Sequence, residues 1–139
     1  MKAMYKLILL PVVLIVFLGE AYANDYNVVF DITSSDKKDW QSLLNNLENV
    51  KKSVGSASQL EVVVHGGALG ILLKKTGFQV ERMRKIAASG VEFLACENTM
   101  KRKGAKKSDL VGFAGTVPAG LVEIIDKQAK GWAYLKIGK

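Results

Sequence analysis

The chain has 139 residues, with 20 lysines and arginines against 13 aspartates and glutamates, a formal net charge of +7, and one cysteine. A single thiol excludes an internal disulfide framework, and the length fits one compact domain with its own core rather than two. The basic charge points toward anionic small molecules or acidic partners and by itself names no ligand.

Lys2 and Lys6 precede an unbroken apolar run from Leu7 to Leu18, which contains Pro11 and is followed by Ala21-Tyr22-Ala23. A helix crossing a bilayer needs roughly 20 apolar residues, and this run is shorter. Residues 1–23 therefore read as a secretory signal peptide cut after Ala23, with 24–139 as the mature α/β domain, periplasmic or secreted and with no remaining membrane span. An uncleaved membrane tether is the competing reading. An exported protein rarely meets nucleic acid, so no nucleic-acid partner is expected.

From Asn24 onward, apolar β-rich runs alternate with helical segments. The first strand is expected at Tyr26 to Thr33, where Val28, Val29, Phe30 and Ile32 make a nearly continuous apolar run. Thr33-Ser34-Ser35-Asp36 supplies capping oxygens for a helix that carries Trp40, Leu43, Leu44, Leu47, Val50 and Val54 on one face and stops at Gly55. A second strand runs from about Leu60 to His65 and halts at Gly66-Gly67. A short apolar helix from Ala68 to Lys75 follows, then a helix from Phe78 to Ser89 closed by Gly90.

The third strand, Val91 to Ala95, delivers Cys96 to a turn where Glu97-Asn98-Thr99 open a brief helix ending near Gly104. The basic tract Lys101-Arg102-Lys103-Gly104-Ala105-Lys106-Lys107 overlaps the end of that helix. Asp109 to Gly115 reads as loop, Thr116-Val117 as a short strand, Ala119 to Lys130 as a helix with Leu121, Val122, Ile124 and Ile125 facing inward, and Trp132 to Ile137 as the last strand. Five strands separated by helices imply right-handed crossovers, hence a doubly wound, mostly parallel five-stranded sheet with helices on both faces. Ligands in such sheets sit at the carboxyl ends of the strands. The sequence contains neither G-x-G-x-x-G nor a P-loop, so no nucleotide cofactor is expected.

The segments VVFDITSSD at 28–36, VVVHGG at 62–67, GVEFLACENTM at 90–100 and VPAGLVEIIDKQAKGWAYLK at 117–136 together resemble the DsrE/DsrF-like family, with ACENTM the most specific part. The resemblance spans essentially the whole of 24–139. It implies the doubly wound sandwich, assembly into homo-oligomers such as trimers or hexamers, and, in sulfur-relay members, a persulfide carried on a cysteine at this strand-to-helix turn. Cys96 is the one residue to which that role carries over. The signal peptide departs from the cytoplasmic sulfur-relay members of the family.

A thiol must lose its proton to attack sulfur, and a free cysteine with a pKa of about 8.5 is only a few per cent thiolate at neutral pH. A helix N-terminus contributes about 0.3–1 kcal/mol, less than one pKa unit, and Lys101, Arg102 and Lys103 add an anion-attracting potential that adjacent Glu97 opposes. A modestly depressed pKa is expected. The plainer reading of Cys96 is a small buried residue finishing a strand.

His65, the only histidine, is a possible assisting base if its strand lies near Cys96, although a histidine before Gly-Gly is often a turn residue. Glu97, Asn98 and Thr99 are possible assisting residues that read first as caps. One histidine and one cysteine do not make a usual zinc site within one chain, so no metal is expected. The expected function is carriage of a sulfane sulfur on Cys96 from a donor to an acceptor, neither of which the sequence identifies. A non-catalytic oligomeric module binding an anion or other small ligand, and a thiol redox sensor, are the alternatives.

Overall fold

The computed structural model describes residues 24–139, so the signal-peptide reading of 1–23 lies outside the described residues. Five strands, β1 (Asn27–Ile32), β2 (Gln59–Val64), β3 (Val91–Cys96), β4 (Gly115–Val117) and β5 (Ala133–Ile137), form one sheet in the order β4-β3-β2-β1-β5. Every neighbouring pair is parallel. Four α-helices connect them: α1 (Lys37–Ser53), α2 (Val80–Ala88), α3 (Glu97–Arg102) and α4 (Gly120–Ala129). This is the doubly wound α/β fold expected from the alternation of elements.

The chain order explains how the faces are covered. β1 to β4 step in one direction across the sheet, and right-handed crossovers then place the intervening helices on a single face. The step back to β5 on the far side of β1 sends α4 to the opposite face. On the first face Phe30, Ile32, Val62, Val64 and Phe93 pack against Leu43, Leu44 and Leu47 of α1, Met83 and Ile86 of α2, and Met100 of α3. Each such side chain, taken fully out of water, stabilises the fold by about 1.5–3 kcal/mol. The second face holds a much smaller cluster of Val29, Val63 and Ile124, with Trp132 partly buried against it.

Local chemistry sets most element ends. The Asp36 carboxylate accepts the Lys38 N–H at 2.8 Å and starts α1. The helix expected from Phe78 instead begins at Val80, because Gln79 is held at a left-handed φ of +41°. Phe78, left outside it, packs edge-on to Trp40 with ring centroids 5.2 Å apart.

Two expectations need correction. The apolar helix expected over Ala68 to Lys75 is a 3-10 segment, Gly66–Leu72. It lies so close to its neighbours that a Cβ on Gly67 would fall 2.9 Å from the Thr33 carbonyl oxygen and one on Gly70 2.8 Å from the Trp40 ring, and this tight approach suits a narrower helix. The second correction concerns α4. Leu121, Val122 and Ile125, expected to face inward, are 63 %, 53 % and 62 % exposed, whereas Gly120 and Ile124 are buried. A helix lying on a narrow strip of valines buries one i, i+4 stripe, and the remaining apolar residues of α4 point to solvent.

Candidate functional site

β3 and β4 are neighbours, but the chain leaves β3 into α3 on one face and leaves β4 into α4 on the other. Adjacent strands whose exits diverge open a crevice at their carboxyl ends. Cys96, the last residue of β3 and the residue that precedes α3, lies in that crevice. The residue is only 5 % exposed, yet it walls a cavity of about 500 Å³ together with His65, Asn98, Thr99, Lys101, Arg102 and the first residues of α4. Cys96 is therefore buried in the fold and yet part of the cavity wall.

The sulfur has a defined polar surrounding. The Gly120 N–H, in the first turn of α4, donates to Cys96 Sγ at 3.2 Å. Glycine allows this close approach, since a Cβ would fall 3.0 Å from Val63 Cγ1 and 3.3 Å from Cys96 Cβ and would push one of them aside by a few tenths of an ångström. Thr99 is almost wholly buried, and its hydroxyl oxygen accepts the Gly66 N–H at 3.1 Å and Arg102 Nη2 at 3.3 Å. Its own proton is thereby free to turn toward the sulfur. Burial pushes the Cys96 thiol up, but the Gly120 amide, then the Thr99 amide and hydroxyl, and last the Asn98 amide outweigh it and hold the thiol below its ordinary range. The Asn98 N–H also donates to the Pro118 carbonyl at 3.2 Å.

The lowered thiol agrees with the sequence expectation, and the Thr99 and Asn98 amides act as the expected N-terminus of α3, but the Gly120 amide comes before them and the cations are not among the causes. Hydrogen-bond donors lower it, one of them from a helix 24 residues further along the chain. The expected cations are divided. Lys101 and Arg102 line the Cys96 cavity, whereas Lys103, turned a further 100° about α3, lines a separate cavity of about 650 Å³ with Lys74 and Lys75. Glu97 is outside the cavity lining: its carboxylate accepts from the Thr116 hydroxyl at 2.7 Å and pairs with Lys107 Nζ at 3.0 Å, tying α3 to β4 and to the basic tract. Those two contacts, the Thr116 hydroxyl first, hold its carboxyl below the usual range.

His65 follows β2 and reaches back across the sheet to Asp31 of β1, its Nε2 lying 2.7 Å from Oδ1. Asp31 Oδ2 accepts the Tyr134 hydroxyl at 2.7 Å and pairs with Lys136 Nζ at 3.3 Å, and Lys136 also donates to Thr33 Oγ1 at 2.8 Å. Burial pushes the Asp31 carboxyl up, but the His65 and Tyr134 hydrogen bonds and the Lys136 charge outweigh it and leave the group below its usual range. The same bond to Asp31 pushes the Tyr134 phenol up to about 12. Asp31 and Lys136 were not singled out from the sequence, whereas Gly120 closes the Val117-Pro118-Ala119-Gly120 turn, one of the strand-end loops where a parallel sheet is expected to place ligands. The signal for Asp31 was present, because a carboxylate inside an apolar strand is retained only where partners await it.

No curated protein matches the chain. Among solved structures, a protein of unknown function from Methanobacterium thermoautotrophicum is similar over 81 % of this chain and 99 % of its own, with 28 % identity and a TM-score of 0.76. A conserved protein of unknown function from Bacteroides thetaiotaomicron matches over 80 % of this chain and 94 % of its own at 16 % identity and a TM-score of 0.64, a likeness of fold alone. The profile of the DsrE/DsrF-like family matches residues 13–137, nearly the whole sequence, with Cys96 at the strand-to-helix turn that carries the most specific motif. The chain belongs to the DsrE/DsrF-like family.

Proposed function

We propose that this protein is an exported sulfur carrier: Cys96 accepts a sulfane sulfur, holds it as a persulfide and passes it to a partner. Membership of the DsrE/DsrF-like family suggests a sulfur-relay type of function, and the finer reading rests on the site. The observation that carries it is the Gly120 N–H pointing at Cys96 Sγ inside a cavity that also presents Lys101 and Arg102. A buried structural cysteine has no need of amide donors, whereas a thiolate or persulfide anion does. The two cations favour an anionic sulfur donor in the cavity. Export rests on the n-region, apolar run and small-residue site within residues 1–23. The exposed Leu121, Val122 and Ile125 of α4 support association of copies into a homo-oligomer, since contiguous apolar residues beside a site favour a protein contact.

The test is intact-mass measurement of the reduced protein after exposure to polysulfide or thiosulfate. Wild type gains one sulfur atom and Cys96→Ala gains none. Absence of the adduct with every donor tried refutes the carrier role.

A further inference from the structure

The residues around His65 form a row across four strands. The register pairs Asp31 with Lys136 on one side and Val64 with Ala95 on the other, so the positions after that last pair are His65 and Cys96. Neighbouring parallel strands lie about 4.8 Å apart, which places the two residues side by side at the carboxyl edge. A Cβ on Gly120 would touch both, 3.3 Å from Cys96 Cβ and 3.5 Å from His65 Cβ, and both line the same cavity. His65 is thus within reach of whatever the cavity holds, while Asp31 grips its far nitrogen.

The tautomer follows from the network. Asp31 receives the Tyr134 hydroxyl and the Lys136 ammonium on one oxygen, so it is ionised and can only accept from His65 on the other. Nε2 then carries the proton. In the neutral ring Nδ1, which has no hydrogen-bond partner among the described residues, keeps its lone pair. A carboxylate on one imidazole nitrogen with the other free is the arrangement that fixes the tautomer and the ring orientation.

We propose that His65 is the proton-transfer residue of the Cys96 site, with Asp31 as its positioning residue and, as the sulfur donor that a cavity of about 500 Å³ lined by Lys101 and Arg102 suits, the persulfide of a small anionic thiol. This rests on the carrier reading above. In the loading step, Cys96–SH and R–S–SH give Cys96–S–SH and R–SH. Cys96 sulfur attacks the outer sulfur of the donor, one S–S bond forms as the donor's S–S bond breaks, and the electron pair leaves on the inner sulfur as R–S⁻. His65 Nδ1 takes the Cys96 proton and delivers it to that departing thiolate, so the exchange is redox-neutral and needs no other reagent. The groups that face the pair are Asp31 of β1, Tyr134 and Lys136 of β5, and Lys101 and Arg102 of α3.

The test follows loading of the reduced protein with cysteine persulfide by intact mass from about pH 5 to 9, alongside alkylation of Cys96 by iodoacetamide, whose iodide leaving group needs no proton. His65→Gln is expected to slow loading roughly 100-fold at neutral pH and to change the shape of its pH profile. Alkylation slows less than loading, because it shares the loss of the base but needs no proton delivered to its leaving group, and Gly120 still supports the thiolate. Asp31→Asn, which keeps the shape of the row, is expected to slow loading about tenfold. Equal slowing of loading and alkylation, or an unaltered pH profile in both variants, overturns the role of His65 while leaving the carrier reading intact. A wild-type protein that takes up no sulfur overturns both.

Discussion

The two faces of the sheet divide the labour of the molecule. The face under α1 and α2 is a continuous apolar interior in which nearly every strand residue meets a leucine, methionine or aromatic side chain. Under α4 lie Val29 and Val63, both fully buried against Ile124 of the helix, and on the same two strands two buried carboxylates, Asp31 and Glu61. Glu61 is 2 % exposed and pairs with Lys127, which lies 4.1 Å from the Trp132 ring centroid, while its Oε1 has no hydrogen-bond partner among the described residues. Burial pushes Glu61 up despite Lys127, whereas Asp31 is held down by three donors. Stability is concentrated on one side, and polar groups that cost free energy to bury are concentrated on the side where the sulfur site opens.

That contrast can be broken from either side. The largest effect is expected on the apolar face: Leu44→Ala, at a wholly buried position of α1, should lower unfolding free energy by about 3 kcal/mol, read by urea denaturation. Cys96 alkylation in the folded variant should stay near wild type, since α1 does not touch the crevice. Gly120→Ala acts on the other face. Its methyl must displace Val63 or Cys96 by a few tenths of an ångström, costing about 1–2 kcal/mol, and it moves the amide away from the sulfur. The thiol should then titrate higher than in wild type, which the pH dependence of iodoacetamide alkylation measures. The smallest effect on stability is expected from Leu121→Ser, within about 0.5 kcal/mol, because the side chain already faces solvent. The same substitution should lower the assembly state seen by sedimentation, and an unchanged assembly would remove α4 from the proposed contact between copies.

Periodicity was a good guide wherever one face of an element meets a deep interior. Trp40, Leu43, Leu44 and Leu47 on α1, and Met83 and Ile86 on α2, are buried as their spacing implies. It failed on α4, where the same kind of pattern meets a face too polar and too narrow to cover it. The sulfur was legible as a single cysteine at the end of an apolar run, and the turn ending at Gly120 as a strand-end loop, but the hydrogen bond that joins them was not. Gly120 resembles any glycine ahead of a helix until β4 is set beside β3.

Composition, the alternation of strand and helix, and the position of Cys96 after an apolar run were sufficient to define a parallel α/β domain with one thiol at the carboxyl edge of its sheet, because those properties depend on residues near one another in the chain. The hydrogen bond from Gly120 to the sulfur, the bond between His65 and Asp31, and the separation of Lys103 from Lys101 and Arg102 depend on strand order and helix rotation. Each joins or parts groups according to where the fold carries them, and a reactive thiol takes its proton affinity from the groups that reach it through space, wherever they stand in the sequence.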